Sequence, residues 1–250
     1  MSGHSKWATI KHKKAANDKA RAKVFAKILR QVEVAAREGG GDPEANPTLR
    51  TMYQKARDNS IPMDTIDRAV KRGTGDLDGV TYSEVTYEGY APGSVAVMVE
   101  VLTDNRNRTG AEVRNIFTKN GGSTSEPGAV AWQFDRKGQI LVARATDEEE
   151  LMLAALDAGA EDIVDDGDSW RVMTPPSDLH AVRTALDGAG ITVESADLTM
   201  VPQATIALDT AESAKRVLRL IDALDDHDDV QAVHANFDIP DNILETVEAG

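Results

Sequence analysis

Apolar residues near the start of the chain recur at three- and four-residue steps, which is the spacing of a helix that buries one face. The pattern predicts a first helix that begins at Asn17 or Asp18 and ends near Arg37, before a run of three glycines. The apolar stripe comprises Val24, Phe25, Ile28, Leu29, Val32 and Ala36, and the opposite, basic face comprises Lys19, Lys23, Lys27 and Arg30. The segment is therefore predicted to be an amphipathic helix with a basic side.

Two shorter helices are predicted to follow. Asn46-Pro47 places an N-cap residue before a proline at the first helical position, and this helix extends to about Asp58. The third helix runs from Asp64 to Gly73. Three short helices with apolar stripes predict a small N-terminal bundle, which we assign to residues 1–78.

The pattern changes from helical to extended after this bundle. Residues 94–102 are rich in β-branched side chains and too continuously apolar for a half-exposed strand, so they predict a central strand. A helix over 108–119 and a strand over 129–134 come next. These three elements form the first half of an α/β unit.

A complete βαββαβ pattern, the order of a ferredoxin-like domain, begins after Gly138. It comprises strand 139–144, helix 147–158, strand 161–165, an Asp166-Gly167 turn, strand 169–174, helix 177–188 and strand 191–200. Strand 204–208, helix 211–224 and strand 230–237 then supply the half that the earlier elements lack.

The predicted fold class is therefore α+β, with a three-helix N-terminal domain followed by two ferredoxin-like α/β domains, one inserted into the other. The predicted domains are 1–78, basic and helical; 79–137 plus 202–250, a split ferredoxin-like domain; and 138–201, the inserted ferredoxin-like domain.

Charge divides the chain in the same way. The whole chain has a net charge of -14, yet residues 1–75 contain 16 Lys and Arg against 8 Asp and Glu, a net +8. The remainder has 28 − 16 = 12 basic and 42 − 8 = 34 acidic residues, a net -22. A basic N-terminal region beside an acidic body indicates a polyanionic partner for that region.

The predicted nucleic-acid-binding residues lie in and before the first helix. They are Lys6, Trp7, Lys11, His12, Lys13, Lys14, Lys19, Lys23, Lys27 and Arg30, in a stretch whose first thirty positions contain one acid, Asp18. The lysines suit phosphate contacts, which position a protein without reading base sequence. Trp7 either stacks on an exposed base or anchors the segment to the bundle. A lysine-rich helix face is also compatible with a purely solubilising surface.

Catalytic and metal-binding patterns are absent from the sequence. The chain has no Cys, no Gly-x-Ser-x-Gly, no Gly-x-x-x-x-Gly-Lys and no His-Glu-x-x-His, so we predict neither an enzyme nor a cofactor. The acidic run over 225–229 lies between a helix and a strand and is interpreted as a solvated turn, and Asp166-Gly167 as a hairpin turn. Without cysteine and without an apolar leader or membrane-spanning run, the chain is predicted to be cytoplasmic.

Four blocks of sequence resemble the YebC/PmpR family. They are Ser2–Trp7 with Ile10–Lys14, Tyr87–Gly93, Thr103–Thr109, and Trp132 with Phe134 and Gly138. The resemblance covers nearly the whole chain, although Ser94 replaces a glycine that relatives commonly have. It implies a three-domain DNA-binding transcriptional regulator, while related members, including the mitochondrial translational activator of cytochrome oxidase, act on ribosomes.

Two of these blocks have a local interpretation. Tyr87, Gly89, Tyr90, Pro92 and Gly93 are predicted to form a rigid turn that enters the central strand. Arg106 and Arg108 stand at the start of the next helix, where guanidinium and backbone N–H groups suit a phosphate. Capping by Asp104 or Asn105 explains part of this block without a ligand.

Three functions remain open at this point. The first is regulation of transcription through duplex DNA, the second is a translation factor that binds ribosomal RNA or the ribosome, and the third is a protein-interaction scaffold whose basic domain is incidental. The acidic α/β domains are the expected surface for a protein partner, and no membrane partner is expected.

Overall fold

A computed structural model describes residues 18–248, with side-chain surroundings for 21–240 and 242–247. Its helices in chain order are α1 (Asp18–Gly39), α2 (Pro47–Asp58), α3 (Met63–Thr74), α4 (Arg106–Lys119), α5 (Glu148–Asp157), α6 (Leu179–Gly188), α7 (Ala211–Asp225) and α8 (Asp241–Glu248). The strands are β1 (Ser83–Ala91), β2 (Val95–Thr103), β3 (Ser123–Ser125), β4 (Phe134–Ala143), β5 (Asp162–Asp165), β6 (Ser169–Thr174), β7 (Val193–Pro202), β8 (Ile206–Ala207), β9 (Val230–Ala235) and β10 (Phe237–Asp238).

The chain divides into two compact units. Unit 1 contains the described residues up to Val34, then Asp78–Asp135, then the described residues from Pro202 onward. Unit 2 contains Ala35–Leu77 and Arg136–Val201. The α+β class, with a helical N-terminal region followed by α/β domains, is confirmed. The predicted boundaries of the three domains stay a prediction.

Unit 1 is built on a four-stranded sheet in the order β3-β1-β2-β9. Strand β2 lies between β1 and β9 in this sheet. Eight of its nine residues are therefore buried, and Glu100 is the one that is partly accessible. β1 and β2 form an antiparallel hairpin in which Ala91 lies opposite Val95. The core joins this sheet to α4 and α7, with Phe117, Leu220 and Phe237 among its fully buried side chains.

Unit 2 contains a second four-stranded sheet in the order β5-β6-β4-β7. This is the strand order of a ferredoxin-like fold, and every element predicted between 139 and 200 is present. The Asp166-Gly167 turn is also confirmed, since Asp166 N donates to Ser169 O over 3.0 Å and Gly167 has φ +83°. Trp170, Val172 and Leu186 lie in its core.

The N-terminal helices agree closely with the pattern. Asn46 caps α2 by accepting a 3.0 Å hydrogen bond from Leu49 N, and its amide donates to Ala35 O and Gly40 O, both over 2.8 Å. Helix α3 begins one residue before the predicted Asp64 and ends at Thr74, one residue after the predicted Gly73; Gly75 follows as a left-handed C-cap with φ +87°.

Three predictions about unit 1 are wrong. Most of the predicted turn over 87–93 is strand β1, and the chain reverses only at 92–94, where Gly93 and Ser94 have positive φ. The predicted strand over 129–134 is a turn and a 3-10 helix at Ala131–Gln133. The predicted strand over 204–208 is the two-residue β8, which pairs with β10, so β1 takes its place in the sheet.

The strand assignment gives Gly89 a clear role. A Cβ at this position would collide with the Ser123 carbonyl oxygen and the Phe117 ring. Glycine therefore permits β3 and α4 to approach β1 closely. This close approach lies within a strand and not in the predicted turn.

Candidate nucleic-acid interface

Most of the predicted binding residues precede the described part of the chain. Lys6, Trp7, Lys11, His12, Lys13 and Lys14 lie outside the described residues. Lys19 lies in α1, but its side chain is outside the described set. The structure therefore describes the side chains of Lys23, Lys27 and Arg30 from the predicted set. It also describes Arg106 and Arg108 in the first turn of α4.

Lys23, Lys27 and Arg30 are four and three residues apart, so they lie on one side of α1. That side faces the run over 225–229, here called the acidic segment, which joins α7 to β9. Lys23 Nζ lies 3.0 Å from Asp226 Oδ1, and Lys27 Nζ donates to Asp225 O over 2.6 Å. The predicted basic face is therefore ion-paired within unit 1.

The exposure of the acidic partners decreases along this face, from Asp226 through Asp225 to Asp229. In the outer pair the side chains of Lys23 and Asp226 are 47% and 78% exposed. In the inner pair those of Arg30 and Asp229 are 18% and 9% exposed. The hydrogen bond to Asp226 raises the pKa of Lys23 above the usual lysine value. An exposed ion pair contributes little stability, whereas an inner one is costly to break, so the two ends of this face differ in strength.

Arg30 binds several groups of its own unit. Its Nη1 lies 3.2 Å from Leu102 O, 3.0 Å from Asp228 O and 3.1 Å from Asp229 Oδ1. Its guanidinium carbon also lies 5.0 Å from the centre of the Tyr82 ring, in a cation–π arrangement. A phosphate would compete with all of these groups for Arg30.

Asp229 is the buried centre of this contact. Its Oδ2 accepts hydrogen bonds from Thr103 Oγ1 over 3.0 Å, from Thr109 Oγ1 over 2.7 Å and from Arg108 Nη2 over 2.7 Å. Burial alone would raise the pKa of this carboxyl, but the hydrogen bonds from the threonines and the arginine lower it below the usual aspartate value. The interpretation of the whole run as a solvated turn is therefore wrong at Asp229.

The two arginines in the first turn of α4, Arg106 and Arg108, also have partners. Asn105 caps the helix by accepting from Arg108 N over 3.1 Å, which confirms one of the two predicted caps. Arg108 pairs with Asp104 over 2.9 Å, and its hydrogen bond to Asp229 raises its pKa. Arg106 donates to Glu84 O over 3.3 Å. A phosphate contact at Arg106 or Arg108 stays a prediction.

A cleft of about 730 Å³ lies beside these groups. It is lined by Lys23, Arg30, Val80, Tyr82, Asp104, Arg108, Glu112 and the segment Asp226–Asp229. Its three Lys and Arg residues face five carboxylates, a formal net of -2, which opposes binding of a phosphate there. Among the described residues, no group of three or more His, Asp or Glu side chains is arranged to bind a metal ion.

Sequence reasoning missed the pairing between α1 and the acidic segment. The paired residues are about two hundred positions apart, and no local pattern joins them. The one available signal was the charge complementarity of an acidic run and a basic face, which indicates an attraction but not which acidic run is the partner.

Glu88 is another polar residue that the sequence did not single out. Its carboxylate is buried and accepts from the backbone N–H groups of Gly128 over 2.6 Å, Val130 over 2.6 Å and Ala131 over 2.9 Å. Burial would raise the pKa of Glu88, but these three hydrogen bonds lower it below the usual glutamate value. The loop that follows β3 is thereby attached to β1.

The fold defines an α+β protein with a helical N-terminal region followed by α/β domains. Family models match two parts of the chain: the TACO1/YebC protein N-terminal domain over residues 5–76, and the TACO1/YebC second and third domain over residues 82–237. The chain belongs to the TACO1/YebC family.

Several relatives are similar over their full length. A probable transcriptional regulatory protein from Rubrobacter xylanophilus is 58% identical over 249 residues, covering 99% of each chain. One from Halothermothrix orenii is 54% identical over 250 residues, again covering 99% of each. A crystal structure of a conserved hypothetical protein from Aquifex aeolicus superposes with a TM-score of 0.83 at 45% identity, covering 91% of this chain and 94% of that one.

No helix among residues 18–248 combines the length and the apolar character that crossing a bilayer requires.

Proposed function

We propose that this chain is a non-enzymatic transcriptional regulator that binds duplex DNA through its basic N-terminal region, in the cytoplasm. The names of its full-length relatives support a regulatory role. The acidic α/β domains repel a polyanion, so they orient its approach toward the N-terminal region and present a surface to a protein partner.

One observation carries this proposal: the first thirty positions contain more positive charge than the ion pairs among the described residues account for. The first thirty positions contain nine Lys and Arg residues and one acid. Three of the nine, Lys23, Lys27 and Arg30, are paired with the acidic segment. The other six against Asp18 still give this stretch a formal charge of 6 − 1 = +5. That charge suits the phosphate backbone of a nucleic acid.

Phosphate contacts are accordingly assigned first to Lys6, Lys11, Lys13, Lys14 and Lys19. His12 adds a polar contact, and Trp7 supplies either a stacking surface for a base or an anchor. Lys23, Lys27 and Arg30 contribute only after losing their present partners. Contacts of this kind give affinity and salt dependence, and base discrimination must come from additional groups.

The proposal is tested with the full chain and two nucleic-acid classes. Duplexes selected from a random-sequence pool are measured against scrambled versions, and cosedimentation with purified ribosomes is measured at the same salt concentration. A regulator should prefer its selected duplex by roughly a thousandfold. Ribosome cosedimentation without duplex preference would instead establish the translation-factor function.

A matched pair of variants separates the N-terminal region from general charge. The slope of the logarithm of the duplex-binding constant against the logarithm of the salt concentration is the quantity to measure. Changing Lys6, Lys11, Lys13 and Lys14 to Gln should make this slope shallower by about three to four. The control changes four exposed cations of α4 and α7 to Gln: Arg114, Lys119, Lys215 and Arg219. Equal losses in the two variants would show that the N-terminal region has no special role.

A further inference from the structure

Three further surface features stand out among the described residues: the mixed-charge cleft, the exposed apolar residues Met152, Leu153 and Leu156 of α5, and the ion-paired face of α1. The cleft has an excess of carboxylates, and nothing in the structure shows what would cover α5. The α1 face is different, because both partners of each contact are present and their geometry resembles that of a protein–phosphate interface.

Resting on the proposed function, we infer that Asp225 and Asp226 act as an internal substitute for nucleic-acid phosphates. They cover Lys23 and Lys27, so this part of α1 binds a polyanion only when the acidic segment is displaced. The consequence is an autoinhibited basic face whose affinity depends on how easily two carboxylates leave it.

The contact distances support the comparison with phosphate. Lys23 Nζ donates to both Asp226 Oδ1 and Asp226 O, over 3.0 and 3.1 Å. Lys27 Nζ lies 2.6 Å from Asp225 O and 3.9 Å from Asp225 Oδ1. Each ammonium group thus lies against two oxygens, as it would beside a phosphodiester. A nucleic acid would exchange one set of anionic and polar oxygens for another.

The two ends of the face explain why only the outer part is displaceable. The Asp226 side chain is 78% exposed and that of Asp225 is 30% exposed, so rotation about their side-chain bonds moves them into water. The Asp229 side chain is 9% exposed and joined to Thr103, Thr109 and Arg108, so it remains in place. The covering carboxylates can therefore leave without unfolding of the segment.

The backbone of the segment is attached independently of the lysines. Asp226 N donates to Asp222 O over 2.9 Å at the end of α7, and Leu102 N donates to Asp229 O over 2.9 Å. His227 Nε2 lies 2.8 Å from Glu112 Oε2. Substituting the two exposed carboxylates by isosteric amides should therefore leave the fold intact.

The inference is tested by a double-mutant cycle on the full chain, with a fluorescently labelled mixed-sequence DNA duplex as the probe. The D225N/D226N variant should bind about three- to tenfold more tightly at about 0.1 M salt, with a salt slope steeper by about one to two. Lys23 and Lys27 then keep only neutral backbone carbonyl partners, which compete with a phosphate less well than a carboxylate does. K23Q/K27Q should then weaken binding at least threefold more in the D225N/D226N background than in the wild-type background.

The control removes the same charge elsewhere. E148Q/E149Q changes two exposed carboxylates at the start of α5, in unit 2, and should change duplex affinity less than twofold. Equal gains from the control, or additive effects in the cycle, would show that only net charge matters and would overturn the inference. D226N alone, whose side chain is the more exposed, repeats the test if D225N/D226N loses its circular-dichroism melting transition.

Failure of the inference is distinguishable from failure of the proposed function. Duplex binding by the wild type with unchanged affinity in D225N/D226N overturns the inference alone. If neither the wild type nor D225N/D226N binds the duplex, the proposed function is overturned. The inference that Asp225 and Asp226 cover a DNA-binding face is then overturned as well.

Discussion

The sheets of the two units contain four strands each but are assembled differently. In unit 2 all four strands, β4 to β7, come from one continuous stretch of chain, with α5 and α6 between them. In unit 1 the sheet combines β1, β2 and β3 with β9, which begins at Val230, more than a hundred residues after β3 ends. One sheet is therefore specified by short connections, and the other must be specified by long-range contacts.

Buried polar side chains supply those contacts in unit 1. Asp229 bonds to β2 and α4, Glu88 bonds to the loop after β3, and Asn236 Oδ1 accepts from Ala96 N over 2.7 Å. In the ferredoxin-like part of unit 2, residues 136–201, the buried Asp166 pairs with Arg171, only five residues away, while the buried Arg183 pairs with Asp58 of the helical part. A buried polar group that fits one arrangement opposes the others, so these groups fix strand order where connections do not.

The largest expected effect is at Asp229. D229N removes, at a buried position, the charge that binds the largely buried Arg30 and the half-exposed Arg108. We expect a loss of about 3–5 kcal/mol in the free energy of unfolding of unit 1, measured by urea denaturation. D228N, in the same segment but exposed, should change it by less than about 0.5 kcal/mol. Similar small losses in both variants would contradict a specifying role for Asp229.

A smaller effect is expected at Glu88. E88Q exchanges one carboxylate oxygen for an NH₂ group that faces backbone donors, so charge-assisted hydrogen bonds to the loop at 128–131 are lost. The expected cost is about 2–3 kcal/mol, with faster amide hydrogen exchange at Val130 and Ala131. E126Q, an exposed change in the same loop, is the control. Unchanged exchange at these amides would show that the loop does not depend on Glu88.

The smallest mutational effect is expected from a local contact of unit 2. Asp147 caps α5 by accepting from Glu149 N over 3.0 Å and Glu150 N over 3.1 Å. D147A should therefore cost about 1 kcal/mol, which circular-dichroism melting can measure. If D147A lowered the free energy of unfolding as much as E88Q, the contrast between the two units would be wrong. Unit 2 would then depend on single polar contacts as strongly as unit 1 does.

The same contrast explains how far the sequence predicted the structure. Helix α2 and the elements between 139 and 200 were predictable because caps, turns and periodicity are local signals. Strand β1 was missed because residues 87–93 combine glycine, tyrosine and proline, which suggested a turn, whereas pairing with β2 and β3 decides their conformation. The pairing of α1 with the acidic segment was missed for the same reason, since charge patterns indicate an attraction but not the partner.

Acid titration should distinguish the polar contacts of unit 1 from its apolar core. The pKa values of Asp229 and Glu88 are lower in the folded protein than their ordinary values near about 4, so the unfolded chain binds these protons more readily. The stability that these two carboxylates contribute to the fold is therefore fully present above about pH 4. It is lost as the pH falls through their pKa values in the folded protein. The free energy of unfolding of the wild type should decrease over this range. The difference in that free energy between the wild type and E88Q should decrease as well. Urea midpoints measured from pH 7 down to about pH 3 provide the check, and a constant difference across that range would show that the Glu88 contact does not depend on its charge.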